Sequence, residues 1–260
     1  MTTQLAPQTI YSDLLQEVGT YCFGVNPRKP NEFGLRMLKN RADVLTKANA
    51  AEGTEIQGFI AFLSGDSEKG AALVERAISL SPKKGPILIR YMQMCDHIGS
   101  FERVAELARK YRNLLVGTVS ETREAMTMLA HNGFLGAADE LHAELSKMNA
   151  LSKEVTYVAG ERLVSRCDHS MFSDEQTSAA VIFVRSYLLQ RGYSARRIGI
   201  SGITGEGERD SSLMYEFDIT ADSQMAAELE WDLFGELEAQ QFPAEVSGKF
   251  LFSVGTYSGD

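Results

Sequence analysis

Along most of this chain apolar residues recur at three- and four-residue steps, the spacing that gathers them on one side of an α-helix, and only in the last quarter does the step shorten to two. IYSDLLQEVGTYCFGV (10–25) and NEFGLRMLKNRADVLTKAN (31–49) read as two helices on either side of the breaker NPRKP. TEIQGFIAFLSGDSEKGAALVERAISLSP (54–82), LIRYMQMCDHIGSFERVAELARKYRNL (88–114) and TREAMTMLAHNGFLGAADELHAELSKM (122–148) each read as two helices around a glycine. A further helix over 174–191 opens on Ser173 and Asp174, both good caps, and carries Val181, Val184, Tyr187 and Leu188 at helical spacing. After Gly192 the pattern alternates. RIGISGIT (197–204) and LMYEFDIT (213–220) read as strands joined by a polar loop, with Leu213, Tyr215, Phe217 and Ile219 on one face. ADSQMAAELEWDLFGELEAQQF (221–242) returns to helical spacing through Leu229, Leu233 and Leu237, and KFLFSVGTY (249–257) is a third strand with Phe250, Phe252 and Val254 inward. The expected class is α+β: an α-helical solenoid over residues 1–192, then a small acidic domain over 193–260 with three strands and helices.

The three glycine-centred segments align without a gap, and Gly65, Gly99 and Gly133 fall at steps of 34 residues. Each lies where a tight turn between helices needs positive φ. Gly58, the turn Gly65–Asp66, Gly70, Ala77 and Pro82 in the first unit, Gly99, Phe101, Ala105 and Ala108 in the second, and Gly133, Leu135 and Ala138 in the third occupy the small and turn positions of a known repeat. On these residues the chain resembles the tetratricopeptide repeat family over roughly residues 51–191. The same frame extends downstream, where residues 153–166 would pair with the helix at 174–191, and upstream to a divergent first hairpin, since terminal repeats face water on one side. The strands and helix beyond residue 192 resemble no family.

The resemblance implies a concave face lined by the first helix of each repeat and used to hold another protein. In that frame the groove positions are Glu55, Ile56, Phe59 and Phe62, then Ile89, Arg90, Gln93 and His97, then Arg123, Thr127 and His131, and last Tyr157 and Glu161. An apolar end followed by forked and amide donors fits an extended peptide or a helix; the competing occupant is the protein's own terminal segment. Some members of the family clamp a terminal carboxylate with lysines and asparagines, but Glu55 and Phe59 stand at two of those places, so no such clamp is expected.

Charge adds a second theme. From Ala195 to the end there are thirteen acidic and four basic residues, whereas residues 1–194 hold equal numbers, so the whole net charge of −9 lies in the last quarter. Such a segment repels phosphate backbones and attracts basic surfaces, which disfavours direct nucleic-acid binding and favours a protein partner with a basic surface. No apolar run is long enough for a membrane span. The opening MTTQLAPQTIYSDLL lacks the layout of a secretory signal, and Cys22, Cys95 and Cys167 are too few and too scattered for a disulfide framework. A cytoplasmic location follows as the expectation.

Candidate chemistry is sparse. His97 and His131 lie one period apart, but adjacent helices sit about 8–10 Å from each other, and Leu63 and Ser165 at the equivalent places supply no third ligand. His142 and His169 lack partners at ligand spacing. The glycines Gly199, Gly202, Gly205 and Gly207 lead from strand to strand rather than into a helix, beside Glu206 and Glu208, which excludes a phosphate loop. The carboxylates Glu228, Glu230, Asp232, Glu236 and Glu238 read as a solvated helix face. No metal, cofactor or catalytic residue is expected. The sequence points to a non-catalytic adaptor, chaperone or inhibitor, against a small enzyme whose last domain is catalytic and a self-associating structural subunit.

Overall fold

A computed structural model of the chain describes residues 7–23, 30–150, 173–204 and 211–257. It is mostly helical, with a small three-stranded sheet in the C-terminal part, an α+β architecture. The chain divides into two compact units, Met1–Ile98 and Gly99–Asp260.

The first unit holds α1 (Pro7–Phe23), α2 (Glu32–Ala48), α3 (Ala50–Leu63), α4 (Ser67–Leu80) and α5 (Lys84–His97). Asn31, Asn49 and Asp66 cap α2, α3 and α4 by accepting from Gly34, Glu52 and Lys69 backbone N–H groups, which satisfies donors that helix starts leave without partners. Helix α3 is buried on nearly every side, through Ile56, Phe59 and Ile60 among others. Small residues let it come close to its neighbours. A Cβ on Gly58 would stand 2.5 Å from a Val74 methyl of α4, and one on Gly53 would stand 2.3 Å from the Thr46 backbone of α2. Helix α1 packs on α2, α3 and α5 and buries Leu14 and Val18, which together contribute about 3–6 kcal/mol as an upper estimate.

The second unit holds α6 (Phe101–Lys110), a 3₁₀ turn at Arg112–Leu114, α7 (Val119–His131), α8 (Leu135–Lys147), α9 (Asp174–Gln190), β1 (Ala195–Thr204), β2 (Ser211–Ile219), α10 (Ser223–Ala239), α11 (Ala244–Lys249) and β3 (Phe250–Thr256). In the sheet β2 is central, antiparallel to β1 and parallel to β3. The register opposes Ile200 to Tyr215, and Tyr215 to Phe252, so the alternating apolar residues of the strands share the inner face. Leu213, Tyr215, Phe217, Phe250, Phe252 and Val254 are buried there. The Tyr215 hydroxyl donates to Ala130 O of α7 at 2.9 Å, and the Tyr187 hydroxyl of α9 donates to Leu229 O of α10 at 3.3 Å. The sheet thus packs with α6–α9 in one unit. The short helix α11 precedes β3, in a stretch to which the sequence pattern assigns no element.

The helical boundaries keep the period seen in the sequence. Helices α3, α5 and α7 end at Leu63, His97 and His131, and α4, α6 and α8 begin at Ser67, Phe101 and Leu135, all at steps of 34 residues. The intervening glycines Gly65, Gly99 and Gly133 have φ of 84°, 78° and 80°, the left-handed region that glycine enters without a Cβ penalty. At Gly65 and Gly133 the N–H groups of Asp66 and Phe134 close back on Ala61 O and Leu129 O, the Schellman arrangement that satisfies the last carbonyls of a helix. Met92 and Met126, at the positions that match Gly58, are buried.

Candidate functional site

Glu55 is the least expected of the buried side chains: a carboxylate in α3 with no exposed surface. Isolating such a charge from water is very costly unless it is paired and hydrogen-bonded. Arg90 of α5 supplies the charge, its Nε at 2.7 Å from Glu55 Oε1 and its Nη2 at 3.2 Å from Oε2. Tyr11 of α1 completes the group. Its hydroxyl donates to Glu55 Oε2 at 2.6 Å and accepts from Arg90 Nη2 at 2.7 Å, and the guanidinium lies 5.9 Å from its ring centre. Burial, and after it the Glu55 charge, pushes the Tyr11 hydroxyl above the usual tyrosine range, so it remains a donor. Burial and the same carboxylate also raise Glu52, one turn earlier on α3. The three side chains form a polar anchor that pins α1 across α3 and α5.

This changes the standing of the groove positions in the first unit. Ile56, Phe59 and Phe62 are core, not open lining: all are buried, and Phe62 lies 5.9 Å from the Tyr91 ring. Ile89 is buried too. Glu55 and Arg90 face α1, the chain's own helix, which occupies the place where the repeat frame expects a ligand. Gln93 is half-buried and His97 exposed on the same helix as Arg90.

In the second unit Arg123, Thr127 and His131 lie along α7, all half-buried. Arg123 Nη2 donates to Ala150 O at 2.6 Å, and the Thr127 hydroxyl donates to Arg123 O one turn back at 3.0 Å. Tyr157 and Glu161 lie outside the described residues, as do residues 153–166, the first helix of the expected fourth hairpin, and Cys167 and His169. Cys95 is buried in α5. Among the described residues no group of three or more His, Cys, Asp or Glu is placed to hold a metal ion, and no helix is long and apolar enough to cross a membrane.

Two features of the second unit add to the sequence reading. Arg185 of α9 is buried, its Nη1 donating to Asn132 Oδ1 at 2.7 Å while its guanidinium sits 4.1 Å from the Phe101 ring centre. It ties α9 to α6 and α7 by charge-assisted hydrogen bonding and cation–π contact. The other is on α10. Its carboxylates Glu228, Asp232, Glu236 and Glu238 are exposed to solvent, and Trp231 stands among them with 79% of its surface open.

Comparison with protein-family models, with curated proteins and with solved structures finds no match to this chain.

Proposed function

We propose that this chain is a non-catalytic protein-binding adaptor, its helical hairpins built on the tetratricopeptide pattern and its acidic C-terminal part engaging a basic surface. The observation that carries the reading is α1 itself. An amphipathic helix already lies across α3 and α5, with Leu14 and Val18 buried and Tyr11 hydrogen-bonded to Glu55 and Arg90. A face of that make-up accepts a helix with apolar residues at i and i+4 and a hydroxyl or carbonyl for the Arg90–Glu55 pair, which is the helix-in-groove mode of recognition. A partner helix binds there by displacing α1. The repeated 34-residue spacing of the hairpins supports the family assignment, and the net acidic charge of the last quarter supports a basic partner.

Affinity capture from the native cell tests this. The full chain and its Tyr11→Phe variant are immobilised, and bound protein is eluted with rising salt. The expected result is a discrete protein, retained more by the variant because α1 is held less firmly, and released as salt screens the acidic part. Recovery of no protein by either bait, or turnover of a small molecule by the purified chain, would reject the reading.

A further inference from the structure

Three large apolar side chains on α10 are turned to water, Met225 at 37% and two aromatic ones. Trp231 is 79% exposed and Phe234 46%. One turn on either side of Trp231 stand Ala227 and Gly235, and a Cβ at Gly235 would meet nothing within 4 Å. Residues four apart are neighbours on a helix surface, so these small side chains leave the indole without cover along the helix. Trp231 and Phe234, with Ala226, Glu230, Val254 and Gly255, border an open groove of about 350 Å³ between α10 and β3. That size is at the lower end for a ligand site and admits one or two side chains of a larger partner.

The charge on helix α10 has one sign. Helix α10 carries Glu228, Glu230, Asp232, Glu236 and Glu238 and no lysine or arginine. Glu236 has Arg191 4.0 Å away. Glu230 lines the groove. Its Oε2 accepts from Val254 N at 2.8 Å and from the Ser253 hydroxyl at 3.1 Å, and Oε1 remains able to accept a further donor. The bond to Val254 also occupies a backbone N–H of β3, which removes a rung that an added strand would need. A second copy of the chain is a poor occupant, because both copies would bring the same acidic face to an interface in a molecule of net charge −9. The complement of an open indole bordered by carboxylates is a planar cation on an aliphatic stem. An arginine guanidinium stacks on the ring and forks to a carboxylate, and tryptophan and arginine are the side chains that most often dominate interface energies.

We propose that the groove between α10 and β3 docks an arginine-bearing segment of a partner protein, the guanidinium seated on Trp231 beside Glu230 and an adjoining apolar side chain packed on Phe234. The site rests on the adaptor reading and names the chemistry of the partner at its acidic end.

Trp231 is the chain's one tryptophan, so emission excited at the red edge, where the tyrosines do not absorb, reports on this groove. The ligand used is a synthetic peptide of alternating arginine and leucine, with a glutamate–leucine peptide as its control. On titration with the arginine peptide the emission shifts to the blue and acrylamide quenching falls about twofold as the ring is covered. The control leaves both unchanged. Measured by anisotropy of a labelled arginine peptide, Trp231→Ala weakens binding about tenfold, as loss of a central aromatic anchor does. Because Trp231 is exposed, that variant keeps its circular dichroism. Glu228→Lys with Glu238→Lys weakens binding as well. Unchanged quenching, equal binding of the glutamate peptide, or a Trp231→Ala variant that binds as well as wild type overturns the proposal. So does an emission shift with protein concentration alone together with a doubled mass in solution, which would assign the groove to a second copy. If the peptide arm fails while the full chain still captures its partner, this site alone is lost; if both fail, the adaptor reading falls with it.

Discussion

Replacing Arg90 with methionine tests whether the polar anchor under α1 works as described. Methionine keeps most of the aliphatic stem and removes the guanidinium, so the packing of α5 is largely preserved. Glu55, with a fully buried side chain, is left with the Tyr11 hydroxyl as its remaining partner in the anchor, while the Arg90 side chain is 30% exposed in the intact pair. Removing one partner of a buried pair costs about 3–5 kcal/mol, and the partial exposure of Arg90 lowers the expectation to about 2–3 kcal/mol. The double change Arg90→Met with Glu55→Leu removes the stranded charge as well, so it is expected to be less destabilising than Arg90→Met alone, with a coupling of about 2 kcal/mol between the sites. Urea unfolding followed by far-ultraviolet circular dichroism measures all four proteins. An Arg90→Met variant within about 0.5 kcal/mol of wild type, or a double variant whose cost equals the sum of the singles, would refute the reasoning.

Three further expectations follow from the same structure. Tyr11→Phe removes two hydrogen bonds of the anchor and costs about 1–2 kcal/mol at neutral pH. The folded chain holds the Tyr11 proton above the ordinary tyrosine value of 10.0, so that contribution is complete below this pH and is lost as pH rises past it. The variant should therefore show a shallower alkaline fall in stability, and parallel alkaline limbs would contradict this. Gly65→Ala and Gly133→Ala separate backbone strain from steric conflict. The first meets nothing within 4 Å and should cost about 1–2 kcal/mol for positive φ alone. The second puts a Cβ 2.6 Å from Thr177 O of α9 and should cost distinctly more, so equal denaturation midpoints would count against the close approach of α9 to this turn. Asp174→Ala should cost about 1–2 kcal/mol, because its carboxylate accepts from Gly136 N at 2.7 Å and Ala137 N at 3.0 Å; amide exchange at the start of α8 should rise, and unchanged protection there would contradict it.

Much of the architecture is legible in local pattern. The turn glycines announce helix ends because only a residue without a Cβ takes positive φ cheaply, and period-two alternation at Leu213, Tyr215, Phe217 and Ile219 places those residues on the buried face. What stays hidden depends on contacts far apart in the chain. Ser173 and Asp174 both look like caps for α9, yet Ser173 caps α9 while Asp174 serves the N-terminus of α8, whose own cap position is Phe134. The repeat frame assigns Glu55 and Arg90 to one face. A terminal segment of the chain is the competing occupant of that face in the sequence reading, but nothing in the residues around Glu55 and Arg90 shows that it is α1, through Tyr11, that covers them. The exposure of Trp231, by contrast, is a matter of local geometry. Its exposure follows from the 100° turn between successive residues, which carries it away from the Leu229–Leu233 stripe.

A photoreactive phenylalanine analogue placed at position 231 of the full chain and irradiated in intact native cells would link the molecule to whatever lies on that groove. The expected product is one discrete adduct to a different protein, with the crosslink mapped to an arginine-containing peptide and the yield reduced by Glu228→Lys with Glu238→Lys. Adducts only between copies of this chain, or none above the unirradiated control, would contradict the acidic docking site, and with no protein captured by the full chain they would contradict the adaptor reading as well.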